Sequence, residues 1–134
     1  MFSSCQFEVM HENEISYIIR SCVFKVFNSL GPGLLESAYV AALVYEIEEA
    51  GLKTRTQVPL PMVYKSTATE VGYRMDILVE SKVIVEVKSV ETLVDVHHKQ
   101  LITYLKLSGL KLGLLVNFNT TNILNSIFRK VNGL

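Results

Sequence analysis

Apolar positions in the first third of the chain recur three and four residues apart. Ile15, Ile18, Ile19, Cys22, Val23, Val26 and Phe27 form one such stripe, which predicts a helix from Asn13, its cap, to about Ser29. Leu30-Gly31-Pro32-Gly33 breaks the pattern. A second stripe, Leu35, Ala38, Val40, Leu43, Val44 and Ile47, predicts a helix from about Leu34 to Ala50, with Gly51 in the C-cap position. The period then shortens. Thr54 to Tyr64 reads as an edge strand or as one with an irregular half, because Pro59 and Pro61 cannot donate to a ladder. Val71, Tyr73, Met75, Ile77 and Val79 alternate with polar residues and predict a strand with those five on one face. Glu80-Ser81-Lys82 reads as a turn. Val83 to Lys88 alternates again. A third helix is expected from about Leu93 to Ser108, ended by Gly109. Lys111 to Asn117 reads as a short strand buried on both faces. Ser126 to Val131 fits either a last strand or a helical turn.

The order α-α-β-β-β-α-β, with or without a final β, predicts an α/β (α+β) fold in which a mixed central sheet is flanked by helices. The 134 residues fit one domain spanning 1–134, with 1–12 expected as a flexible N-terminal tail. Lysines and arginines balance aspartates and glutamates, for a formal charge of zero. That argues against a charge-driven nucleic-acid binder and leaves a local basic groove open. The two cysteines, Cys5 and Cys22, have no metal-site spacing, and Cys22 falls on the apolar stripe of the first helix. No signal peptide and no run of about 18 apolar residues is present, so the expected compartment is the cytoplasm.

The candidate chemistry lies on the hairpin. Asp76 and Glu86 stand at equal distances from Ser81, which in an antiparallel pair places them opposite each other. Lys88 follows two residues after Glu86 on the same face. Facing carboxylates repel unless a cation or a proton lies between them. Mg²⁺ prefers oxygen ligands and often takes one or two carboxylates plus water. The plainer reading is a solvated strand face. Glu36 heads the apolar stripe of the second helix, which suggests partial burial, although an acid there also suits the helix dipole. Gln100 and Tyr104 are one turn apart on the third helix, with His97 one turn before them. Tyr104 also reads as a core aromatic. His97 and His98 are not assigned as zinc ligands. Phosphate loops, dinucleotide fingerprints and serine elbows are absent from the sequence.

Asp76, nine intervening residues and then Glu86-Val87-Lys88 resemble the signature of the PD-(D/E)xK nuclease superfamily, with Met75 in place of the proline. A closer resemblance is to the GxxExxY family within it. Its naming motif reads Gly33-Leu34-Leu35-Glu36-Ser37-Ala38-Tyr39, followed in order by Tyr73-Arg74-Met75-Asp76, Val85-Glu86-Val87-Lys88 and Gln100-Leu101-Ile102-Thr103-Tyr104-Leu105. The resemblance implies a restriction-endonuclease-like core. It also implies a Mg²⁺ or Mn²⁺ site held by Asp76, Glu86 and the Val87 carbonyl, with Glu36 completing it. Lys88 would orient the attacking water, and Gln100 and Tyr104 would line the site.

Three functions follow as expectations. The first is a metal-dependent nuclease acting on DNA or RNA. The second is an inactive module of the same fold that binds nucleic acid or a protein partner. The third is a structural protein, and a homodimer is compatible with all three.

Overall fold

The computed structural model describes residues 9–134, so Cys5 and the first eight residues of the expected tail lie outside the described residues. The rest of that tail is structured. Met10 packs against the core and its carbonyl accepts from Lys82 Nζ at 2.6 Å. Helix α1, Glu12–Leu30, is capped by His11 and not by Asn13. The Asn13 N–H donates to His11 Nδ1 at 3.0 Å, and the His11 N–H donates to Glu14 Oε1 at 2.9 Å. The imidazole thus does the work of a capping serine or threonine.

After α1 come α2 (Glu36–Glu49), β1 (Thr54–Pro59), β2 (Met62–Tyr64), β3 (Thr67–Thr69), β4 (Arg74–Val79) and β5 (Val83–Lys88). Then follow α3 (Asp95–Ser108), β6 (Leu112–Asn117), a 3₁₀ turn (Ile123–Ser126) and β7 (Ile127–Val131). Five strands form a mixed sheet in the order β1-β4-β5-β6-β7, in which only β5 and β6 are parallel. This is the expected mixed sheet with flanking helices, and β1 is the expected edge strand. The last segment is a strand. Among the described residues, no helix is long and apolar enough to cross a membrane.

Two apolar clusters sandwich the sheet. Val83, Val85, Val87, Leu112, Leu114 and Val116 face α1 and α2, where they meet Ile15, Ile19, Cys22, Tyr39 and Leu43. Ile84, Leu78 and Leu115 face α3 and meet Leu101, Tyr104 and Leu105. Every residue of β6 is buried, as expected of a strand covered on both sides.

Two expectations need correction. The stretch Thr54–Tyr64 is not one interrupted strand. The chain leaves the sheet at Pro59, and β2 and β3 form a separate hairpin. Its turn residues, Lys65 and Ser66, both have positive φ (49° and 67°), the geometry of a two-residue hairpin loop, here without the usual Asn-Gly signal. Nor do the alternating residues of β4 share one face. Tyr73 and Met75 pack in the α3 cluster, whereas Ile77 and Val79 pack in the other. The alternation slips at Asp76. Across from it, Gln57 takes a φ of 51°, and the β1–β4 register passes from Thr56↔Ile77 to Val58↔Met75 without pairing Gln57 to Asp76.

Candidate active site

The β4–β5 ladder pairs Ile77 with Val85, and its next step would bring Asp76 opposite Glu86. Side chains close the ladder at that point. The Asp76 N–H donates to Glu86 Oε2 at 2.8 Å, and the Val87 N–H donates to Asp76 Oδ2 at 2.8 Å. The two carboxylates are therefore opposite, as the hairpin arithmetic predicts, and each is anchored to the other strand's backbone. The β4–β5 pairing ends at Ile77↔Val85, so beyond it both backbone donors find side-chain partners.

Burial sets the electrostatics. Glu86 is only 2% exposed. Desolvation first, and then the neighbouring charge of Asp76, push its carboxyl up to about 8. Desolvation also raises Asp76, opposed by the Val87 hydrogen bond and by Lys88. Without a cation, the pair thus retains a proton near neutral pH. Lys88 Nζ donates to Gln100 Oε1 at 3.0 Å, which fixes the ammonium beside the carboxylates. Tyr104 is buried and packs edge-on against Tyr73, with ring centroids 5.7 Å apart. Burial, then the charge of Glu86, raises its hydroxyl. Gln100 and Tyr104 thus stand where the helical spacing puts them.

Glu36 fits its helix-dipole reading and is not covered. It is exposed, at the first position of α2, and its Oε2 accepts from the Ser89 N–H at 3.3 Å. Heading an apolar stripe did not cover it, because the stripe dips into the core only from Tyr39 onward. Its charge still reaches the pair, raising both Asp76 and Glu86. The chain places Glu36 through Tyr39. That ring is fully buried and stacks on Phe118 at 4.4 Å. Its hydroxyl donates to the Gly31 carbonyl at 2.5 Å and accepts from the Leu34 N–H at 3.1 Å. Gly33, at φ +100°, supplies the turn between those two contacts. Glycine, glutamate and tyrosine of this segment therefore form one device, a pinned loop that presents a carboxylate. Tyr39→Phe should cost about 1–3 kcal/mol, since it orphans two partly buried backbone groups; thermal denaturation with unchanged secondary structure would check this.

Several contributors carry no sequence signal that singles them out. Ser89 Oγ donates to the Leu34 carbonyl at 2.6 Å, tying the segment after β5 to the start of α2. Asn117, a buried polar residue ending β6, accepts from the Val90 N–H (3.1 Å) and donates to the Val90 carbonyl (2.9 Å). A polar side chain closing an apolar strand was its only available hint. Gln57 lies beside Asp76 because of its unusual backbone. A cavity of about 960 Å³ opens onto Asp76, between Leu35, Val40 and Val44 on one side and Gln57 and Ser89 on the other. The His97 imidazole accepts from the Val94 N–H at 3.0 Å, so it caps α3 and does not join the site.

The sequence model of a family described as the PD-(D/E)XK nuclease superfamily matches residues 13–130. The chain belongs to that superfamily. The match takes in every residue of the cluster, and the mixed sheet with its flanking helices is consistent with the superfamily's restriction-endonuclease-like fold. Searches of curated proteins and of solved structures gave no match. In this PD-(D/E)XK domain, the matched span holds Asp76, Glu86 and Lys88 together at the end of the β4–β5 ladder. Among the described residues, no three His, Cys, Asp or Glu side chains gather closely enough to chelate an ion alone. An anchored carboxylate pair with open space on its Asp76 side suits an ion that keeps several waters, as Mg²⁺ does, better than zinc.

Proposed function

We propose that the protein is a divalent-metal-dependent nuclease that hydrolyses phosphodiester bonds of DNA or RNA, from the GxxExxY branch of its superfamily. The observation that carries the reading is the Asp76–Glu86 pair, cross-anchored at the end of the β4–β5 ladder with Lys88 held beside it by Gln100. Asp76, Glu86 and the Val87 carbonyl would hold Mg²⁺ or Mn²⁺, with Glu36 on the open side. When bound, the ion supplies Lewis-acid polarisation of a phosphate oxygen and lowers the pKa of a water. The protein's own groups do the rest. Lys88 carries positive charge next to the reacting phosphate and orients the attacking water through its N–H donors. Gln100 fixes the direction of Lys88, and Tyr104 walls the carboxylates from solvent.

The test is cleavage of labelled single-stranded and duplex oligonucleotides, DNA and RNA, with Mg²⁺ or Mn²⁺. Lys88→Ala should lower the rate by about 10²–10⁴-fold, the range for a group aiding proton transfer or charge stabilisation. Pure wild-type protein that cleaves nothing, or a Lys88→Ala variant that cleaves undiminished, sinks the reading. An inactive nucleic-acid-binding module is the second reading. It is favoured by the lack of a three-residue chelating group among the described residues and by the zero net charge. Binding of oligonucleotides with no metal uptake in calorimetry would select it.

A further inference from the structure

The β2–β3 hairpin has no place in the sheet. Its strands pair only with each other, and of its six residues only Met62 is even partly buried. A two-stranded hairpin without a packed face contributes little to stability. It nevertheless holds apolar side chains outward: Val63 is 65% exposed and Tyr64 62%. Lys65 Nζ sits 5.5 Å from the centroid of the Tyr64 ring, so an aromatic face and a cation are presented together at the turn.

Its position is fixed by the chain. The hairpin leaves β1 at Pro59 and re-enters the sheet at Arg74, two residues before Asp76. It therefore hangs from the end of the sheet that bears Asp76, Glu86 and Lys88. The cavity opening onto Asp76 has no Lys or Arg among its described lining residues, so phosphates flanking the cluster must find cations elsewhere. Arg74, at the base of the hairpin, is within 3.9 Å of Glu70. That leaves Lys65 as the cation at the tip.

We propose that this hairpin grips single-stranded nucleic acid, with Tyr64 stacking on an unpaired base and Lys65 neutralising the adjoining phosphate. The proposal rests on the nuclease reading of the neighbouring cluster. Base stacking on an aromatic ring tolerates any sequence, and a nearby lysine adds a salt-sensitive backbone contact. The grip would hold the strand beside the carboxylates without reading it.

The protein contains no tryptophan, so Tyr64→Trp installs a single reporter. Its emission should be quenched on titration with oligothymidylate in Ca²⁺ buffer, whereas Tyr17→Trp, exposed on α1, should show no change. Tyr64→Ala should weaken strand binding about fivefold or more, and Lys65→Ala should flatten its salt dependence. Both alanine variants should keep the wild-type melting temperature, since neither side chain is packed. Wild-type protein that binds neither single strand nor duplex overturns the nuclease reading and the grip together, and wild-type protein that binds duplex but no single strand overturns the grip alone. Wild-type binding that Tyr64→Ala leaves unchanged overturns the grip alone. Quenching by fully paired duplex but not by single strand replaces stacking with an inserted wedge and overturns the proposal. Conversion of a dimer to a monomer by Tyr64→Ala, with strand affinity intact, makes the hairpin a self-association element and overturns it as well.

Discussion

Glu86→Gln is expected to yield a protein that is more stable than the wild type at alkaline pH and catalytically inert. The Glu86 carboxyl is pushed up to about 8 in the fold, from an ordinary value of 4.5. Its raised folded pKa means that the native state favours the protonated form. Below about pH 4.5 both folded and unfolded chains hold the proton, and the wild type has its full stability from this group. As pH rises, the unfolded chain releases the proton first, so stability falls until about pH 8 and then levels. The cumulative loss is on the order of 3–5 kcal/mol. Glutamine is neutral throughout and can still accept from the Asp76 N–H. The variant's stability should therefore lack that decline, and its melting temperature near pH 9 should exceed the wild type's by on the order of 10 °C. Added Mn²⁺ should stabilise the wild type, with release of a proton, and leave the variant unmoved. Denaturation at several pH values, with and without the ion, checks both parts. A wild-type stability that rises between about pH 5 and pH 8 would contradict the buried, proton-holding pair.

Gly113→Val should be strongly disruptive although it lies away from the carboxylates. Gly113 lies in the buried strand β6, between Ile84 and Lys130 on its neighbours. A Cβ there would meet Leu101 Cδ1 at 2.7 Å and its Cγ at 3.1 Å. Leu101 is fully buried, so it has no free space to move into. The helix must lift from the sheet or the strand must bend, a strain worth about 1–3 kcal/mol. Because α3 also carries Gln100 and Tyr104, the lift loosens the Lys88–Gln100 contact. The expected result is a lowered melting temperature together with a fall in any metal-dependent cleavage. Leu101→Ala combined with Gly113→Val should recover part of the stability, and the double-mutant cycle measures the coupling.

Periodicity carried most of the fold. The stripes of α1 and α2 and the continuous apolar run of β6 depend on burial that repeats along the chain, and they appeared within a few residues of their predicted ends. The proline-interrupted segment was less readable. The hairpin turn at Lys65-Ser66 uses residues that rarely adopt positive φ, so turn chemistry could not announce it. The slip at Asp76 was hidden for a related reason. Perfect alternation from Val71 to Val79 describes a regular strand, yet two backbone donors are taken by carboxylates there and the pleat shifts. Parity still placed Asp76 opposite Glu86, because the turn at Glu80–Lys82 fixes that register. Helical spacing put Gln100 and Tyr104 on one face of α3, whereas the contact of Gln100 with Lys88 was not readable from spacing. The ties through Tyr39, Ser89 and Asn117 were beyond reach, since they depend on which loops meet after folding.

The layering of the molecule has a consequence for when the cluster becomes complete. Asp76, Glu86, Lys88, Gln100 and Tyr104 lie on one continuous stretch of chain, from β4 to α3. Glu36 comes from the opposite layer, and its contact with Ser89 spans 53 residues of sequence. A chain whose sheet and α3 have formed before α1 and α2 dock holds the paired carboxylates and the lysine without the helix-borne acid. In such a chain the contacts that deliver Glu36 are the ones still missing, so a complete cluster would report that both helical layers have docked.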